Sequence, residues 1–237
     1  MTTAEIRDRI ITDVDEDPAA PTTGLVTEVL AAINEGQQLA ALLTLCLEKT
    51  VSFTVTAATC FFTPRSTLTD LIVPLRITVG GIRIRPGTIA DLEAENSAWQ
   101  ATADATTRYA VLGCNLMAFT PQAVLNWTAA ITLAYSPATL SADGDIPAIP
   151  EAYHQNLVDY GVYRVRMKEG AQGLERGLGR LNTYLDDMTR LGNFVRTKSL
   201  AARYDVQPFE LQNFDRSRMI SEVLKWQRKQ SQLTAAT

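Results

Sequence analysis

Histidine is almost missing from this chain of 237 residues, where His154 is the only one. That excludes a histidine-rich metal centre and leaves any serine or cysteine nucleophile a single possible imidazole base. Cysteine is scarce as well. Cys46, Cys60 and Cys114 are an odd, widely spaced set without a CxxC pair. The set argues against a disulfide or zinc framework and predicts buried apolar thiols in a reducing compartment. No window approaches eighteen uninterrupted apolar residues, so no membrane span is expected. The opening MTTAEIRDRIITDVDEDP is acidic and lacks an apolar run, so no secretory leader is expected.

Other chemical signatures fail on context. No GxxxxGKS/T phosphate loop occurs. Gly170, Gly173, Gly177 and Gly179 lie in a helical pattern with no strand before them, unlike a dinucleotide fingerprint. Asp13, Asp15, Glu16 and Asp17 run into Pro18, not the glycine and distal glutamate of a calcium loop, so a mobile acidic loop is expected. Asp186 and Asp187 are helical neighbours that point apart and make no paired acid and base. His154, in the first turn of a helix, is read as structural or solvent-facing. No catalytic, cofactor or metal residue is assigned, and the chain is read as a non-enzyme.

What is present is a core-forming composition, 46% hydrophobic and 20% charged. The charge is unevenly spread. Residues 1–160 hold 8 Lys/Arg against 18 Asp/Glu, and residues 161–237 hold 14 against 8. Such a division fits two surfaces with different partners, self-complementary contacts between copies, or solvated helix faces.

The periodicity changes twice. Ile6 and Ile10 mark a short helix over 4–11. Val26, Val29, Leu30, Ile33, Ala40 and Leu43 predict a helix over 23–43, with Thr22 or Thr23 as its N-cap. Glu28, Asn34 and Gln38 are left for solvent or a neighbour. After Lys49 the period is two: Val51, Phe53 and Val55 alternate with hydroxyl residues. Leu75, Ile77 and Val79 then lead through Gly80-Gly81 into Ile82 and Ile84, a hairpin. Thr88 and Asp91 form a capping box that opens a short helix. Strands follow over 108–112, 116–120 and 127–135. Helical spacing returns after Pro150, with Tyr153, Leu157, Tyr160 and Arg164 on one stripe. Leu174, Leu178, Leu181, Leu185 and Met188 then make the narrow seam of an antiparallel helical pair. Gly173 and Gly177 would let another backbone come close. A basic amphipathic helix is expected over 214–230.

These patterns predict an α+β fold. Helices within 1–50 and long helices over 150–195 form one helical domain, with Tyr153, Leu157, Tyr160 and Leu178 in its core. An antiparallel sheet or sandwich is inserted at 51–137, and residues 196–237 follow as a separate arm.

Several segments resemble one family. IPAIPEAYHQNLVDYGVYRVRMKEG (146–170) is similar to the Pro-Glu-x-Tyr-His and Leu-Val-x-Tyr-x-x-Tyr-Arg pattern of tailed-bacteriophage head–tail adaptor (connector) proteins. Pro150, Glu151, Tyr153, His154, Leu157, Val158, Tyr160, Tyr163 and Arg164 stand at its positions. GGIRIRPGTIADLEAENSAWQ (80–100), INEGQQLAALL (33–43) and residues 127–137 resemble further segments of that family, in order, across 4–195. The resemblance implies a structural protein of the virion neck, assembled in the host cytoplasm. It implies a ring, usually of twelve copies, beneath the portal protein, extending the DNA channel and offering a surface to a tail or nozzle protein. Genomic DNA would pass without sequence-specific binding, with no membrane and no cofactor. An acidic channel wall would repel DNA phosphates. Residues 196–237 would be the portal-docking arm, anchored by Phe209, Phe214, Arg216, Arg218, Trp226 and Arg228. Two other functions remain open: nucleic-acid binding through the basic C-terminal helices, and an enzyme whose site uses Asp, Tyr and Arg.

Overall fold

A computed structural model describes residues 1–195, apart from 102–103, 113–115 and 123. Four helices form the larger core. Helix α1 (Thr3–Asp13) starts at a capping box in which Thr2 and Glu5 satisfy each other's backbone amides. Helix α2 (Leu25–Thr44) starts differently from the sequence expectation. Its N-cap is Gly24, at φ 88°, where glycine alone is unstrained. Thr22 is drawn away from capping because its hydroxyl donates to Glu16 at 3.0 Å.

The long C-terminal helices come after the β region. A 3-10 turn at Glu151–Tyr153 leads into α4 (His154–Lys168), and Gly170 at φ 91° reverses the chain into α5 (Ala171–Phe194). Between these helices the glycines permit contact of backbone on backbone. A Cβ on Gly173 would lie 2.2 Å from the Arg166 carbonyl oxygen, and one on Gly177 would lie 3.3 Å from the Tyr163 Cα. Ile6, Ile10, Val29, Ile33, Leu157, Val158, Leu185 and Met188 fill the space between α1, α2, α4 and α5. Gly161 lets α1 cross close to α4, since a Cβ there would meet Ile10 Cδ1 at 2.3 Å.

Seven strands make one curled sheet. They are β1 (Glu48–Val55), β2 (Phe61–Phe62), β3 (Leu71–Val79), β4 (Ile82–Gly87), β5 (Arg108–Leu112), β6 (Leu116–Thr120) and β7 (Trp127–Tyr135). Their order across the sheet is β1-β7-β3-β4-β5-β6-β2. The expectation of a wholly antiparallel insertion fails at one place, because β4 and β5 pair in parallel. A parallel pair needs a crossover of a dozen residues or more. The chain between these strands provides it, including the short helix α3 (Ile89–Glu95) with its Thr88–Asp91 capping box.

Strand β4 divides its edge, pairing β3 through residues 82–84 and β5 through residues 85–87. The sheet therefore rolls around its own concave face. Phe53 of β1 stacks on Phe62 of β2 with ring centroids 4.8 Å apart, although these strands stand at opposite ends of the order. Phe119 and Trp127 meet edge to face at 5.6 Å inside the roll. A smaller apolar cluster of Leu45, Leu75, Ala134, Leu191 and Val195 joins the convex face to the helices. Cys46 and Cys60 are free and half-buried, not enclosed as expected. Each stands where the chain leaves one element for another, at the margins of the cores. Cys114 and the basic helix expected over 214–230 lie outside the described residues.

Candidate interaction surfaces

The basic side chains of the long helices are spent largely inside the subunit. On α4, Arg164 meets Glu35 at 2.8 Å and Arg166 meets Asp15 at 2.6 Å, while Lys168 pairs with Glu28. On α5, Arg180 reaches both Asp13 at 2.9 Å and Asp159 at 2.7 Å. Arg166 also donates to the Asp13 carbonyl at 3.2 Å. Asp13 and Asp15 of the acidic run are thus paired with cations of the long helices. The contrast in charge along the chain is partly answered within one molecule, so less of it remains for neighbours.

Several titratable groups in this region are buried. Burial pushes the Asp159 carboxyl above its ordinary value, against the hydrogen bond from Arg180. Burial also raises the Tyr184 phenol, and its hydroxyl donates to the Gly36 carbonyl at 2.8 Å. Tyr160 is raised by burial and by Glu35 beside it. His154 is 1% exposed. Its Nε2 lies 3.0 Å from the Ile149 carbonyl oxygen and its Nδ1 lies 3.0 Å from the Met1 amine, so both ring nitrogens are engaged. Leu157 and Tyr160 are buried in the helical core, and Tyr153 and Leu178 pack half-buried at its margin. A groove of about 590 Å³ runs between α2 and α4. The Glu28–Lys168 and Glu35–Arg164 pairs span it. Among the described residues no group of three or more His, Cys, Asp or Glu could hold a metal ion.

Large apolar side chains are exposed at several places, among them Phe61, Val111 and Ile146. The sheet meets the helices near Glu48, Leu71 and Tyr135, and its far end carries Val55, Val79, Ile82 and Trp127. At that far end Ile82 is 76% exposed, and Val124 and Leu125 just before β7 are 59% and 74% exposed. The Asn126 side chain holds this loop by accepting from the Ala57 amide at 2.7 Å. Three large apolar side chains at this end of the sheet make it a candidate contact surface. Sequence periodicity missed it, because hairpin tips and short loops have no period. At the helical pole, Leu42 and Phe194 are exposed beside the point where the chain leaves α5. Phe209, Phe214, Arg216, Arg218, Trp226 and Arg228, assigned to docking from the sequence, lie outside the described residues.

The family model described as SU10 adaptor protein matches residues 1–206 of the chain. No curated protein matches it.

Proposed function

The chain belongs to the SU10 adaptor protein family, one of phage head–tail adaptors, and from that premise we propose that it closes into a ring beneath the portal. The observation that carries this reading is the reach of the family match, which includes both the helical body and the curled sheet. The adaptor role is that of a structural protein of the virion neck. Ring closure requires a heterologous contact, one face of each subunit against a different face of the next. With the α4 and α5 cations paired internally, that contact draws on shape and apolar area more than on the charge division.

The portal would be engaged from the helical pole, where residues 196–237 begin. This segment holds eight Lys/Arg against four acids, together with Phe209, Phe214 and Trp226. Arginine and aromatic side chains are the usual anchors of an interface. The apolar tip at the far end of the sheet would then face the tail component. Residues 1–195 hold 14 Lys/Arg and 22 Asp/Glu. A body of that sign repels phosphates and lets DNA pass through the ring without sticking. The nucleic-acid-binding alternative gains nothing from the described helices, where Arg164, Arg166 and Arg180 are already paired.

Deleting residues 205–237 tests the docking arm. The truncated subunit should stay soluble and folded, by circular dichroism, yet fail to cosediment with portal-containing heads. Truncated protein that still docks, or that unfolds, overturns the assignment.

A further inference from the structure

The charge of the molecule is divided between its two parts. Residues 48–142, which carry the sheet, hold 6 Lys/Arg and 6 Asp/Glu. Residues 1–47 and 143–195, which make the helical body, hold 8 and 16, a balance of −8 against zero. No Asp or Glu occurs over 71–90 or 105–142, so β3, β4, β5, β6 and β7 contain no carboxylate. The ion pairs of α4 and α5 fall within the helical body and do not bridge this division.

Arginines of the sheet gather on its convex face. Phe53, Ile77, Ile84 and Ile131 fill the concave side, so their strand neighbours point outward. The register sets Thr50 beside Thr132 and Arg76, and Ser52 beside Ala130, Thr78 and Arg83. Arg85 comes next on this face of β4 and lies in register with Arg108 of β5. Like charges directly opposite each other weaken a sheet. Glu95 answers Arg108 at 2.8 Å. Arg76 and Arg85 are exposed and have no ion pair among the described residues. Leu75 and Ala134 seat the long helices at one end of the convex face, and Leu92 and Trp99 cover Ala110 and Ala118 of β5 and β6. Between these two covers lies a strip of arginine and hydroxyl side chains.

A second copy of this chain offers the complement. On its helical body the exposed Glu5, Asp17 and Glu175 have no ion pair among the described residues. Residues 196–237 do not match by charge, because they hold eight Lys/Arg against four acids. Duplex DNA matches the arginines, but a duplex along the subunit also meets the −8 of the helical body. A second copy turns that very surface to the arginines. We propose that, in the ring, the convex sheet face of one subunit docks on the acidic helical body of the next, with Arg76, Arg83 and Arg85 as its charged contacts. The two faces differ, as a heterologous contact demands. Charges of this kind fix register and partner choice more than raw affinity, and leave the apolar area its share. This inference rests on the ring reading and names the two faces that the ring joins.

Photo-crosslinking in assembled particles tests it. The full chain carries benzoylphenylalanine at Thr128 or, separately, at its register partner Thr54, both exposed on the convex face. Equal amounts of isotopically light and heavy copies are assembled with portal-containing heads. Irradiation should join light chains to heavy ones, with the second end in residues 1–47 or 143–195. A second end anywhere else, whether in residues 196–237, in the portal or in DNA, overturns the proposal. So does the absence of adducts from both sites. An amine-reactive crosslinker on particles of the parent chain separates the two readings. Multi-copy ladders without the photo-adducts keep the ring and remove this contact, whereas no ladder removes the ring as well. Arg76→Glu with Arg85→Glu should cut the adduct about tenfold or more, while Arg76→Lys with Arg85→Lys keeps most of it. Raised salt should also lower the yield with the parent arginines in place. Equal yields from the two variant pairs, or a yield indifferent to salt, overturn the assignment of the arginines.

Discussion

The same substitution at two glycines of α5 should move stability in opposite directions. At Gly179 a Cβ would meet nothing within 4 Å. Alanine there only removes the entropic cost of a helical glycine, and Gly179→Ala should stabilise the fold by about 0.5–1 kcal/mol. At Gly173 a Cβ would stand 2.2 Å from the Arg166 carbonyl oxygen and 2.7 Å from Glu169 Cβ. Non-bonded carbon contacts settle near 3.5–4 Å, so the obstacle must retreat by more than ~1 Å. It is backbone, held in the last turn of α4, and no side-chain tip can swing aside. Overpacking of this kind costs about 1–3 kcal/mol, and the rigid obstacle places Gly173→Ala at the upper end. Less a helix-propensity gain of up to about 1 kcal/mol, the net loss is about 2 kcal/mol. For a chain of this size each kcal/mol moves the melting midpoint by about 2–4 °C. Thermal and urea unfolding followed by circular dichroism should therefore separate the variants to either side of the parent. Shifts of the same sign would refute the account of how α4 and α5 meet.

Leu157 is fully buried in the helical core, so Leu157→Ala should cost about 2–5 kcal/mol in urea unfolding. An unchanged midpoint would remove it from the core. Two carboxyls should titrate on opposite sides of the ordinary aspartate value. Burial raises Asp159, so its contribution to stability is present at acid pH and lost as pH rises through its folded pKa. The backbone amides of Ala142 and Ser141 hold Asp145 low. Its contribution is present above the unfolded value and lost as pH falls through the folded one. Carbon-detected NMR titration reads both, and the reverse order would contradict the burial and hydrogen bonding described.

Local chemistry was legible wherever one segment carried the whole signal. The alternation of Val51, Phe53 and Val55 marked β1, the Gly80-Gly81 pair marked the hairpin of β3 and β4, and Thr88 with Asp91 marked the cap of α3. The spacing of Gly173 and Gly177 announced a close helix crossing before any partner was known. Motif order over residues 4–195 pointed to the phage adaptor family, and the family match bears this out. The candidate surface was less legible. Ile82, Val124 and Leu125 are ordinary apolar residues in a string, and only the pairing of β3 with β4 and β7 brings their ends of the strands together.

The sequence by itself determined which residues turn inward within each helix and strand, because a period of 3.6 or of two is written in consecutive side chains. It determined the α+β class for the same reason. Tertiary structure alone decided which strands meet and which cations are spent. The parallel pairing of β4 with β5, the stacking of Phe53 on Phe62 and the capture of Asp13 and Asp15 by Arg180 and Arg166 join residues far apart in the chain. Tertiary structure also decided that, among the described residues, β1 pairs on one side only, with β7. A hydrophobic period reports the face of an element and says nothing of its flank, where backbone amides identical in every residue await a partner.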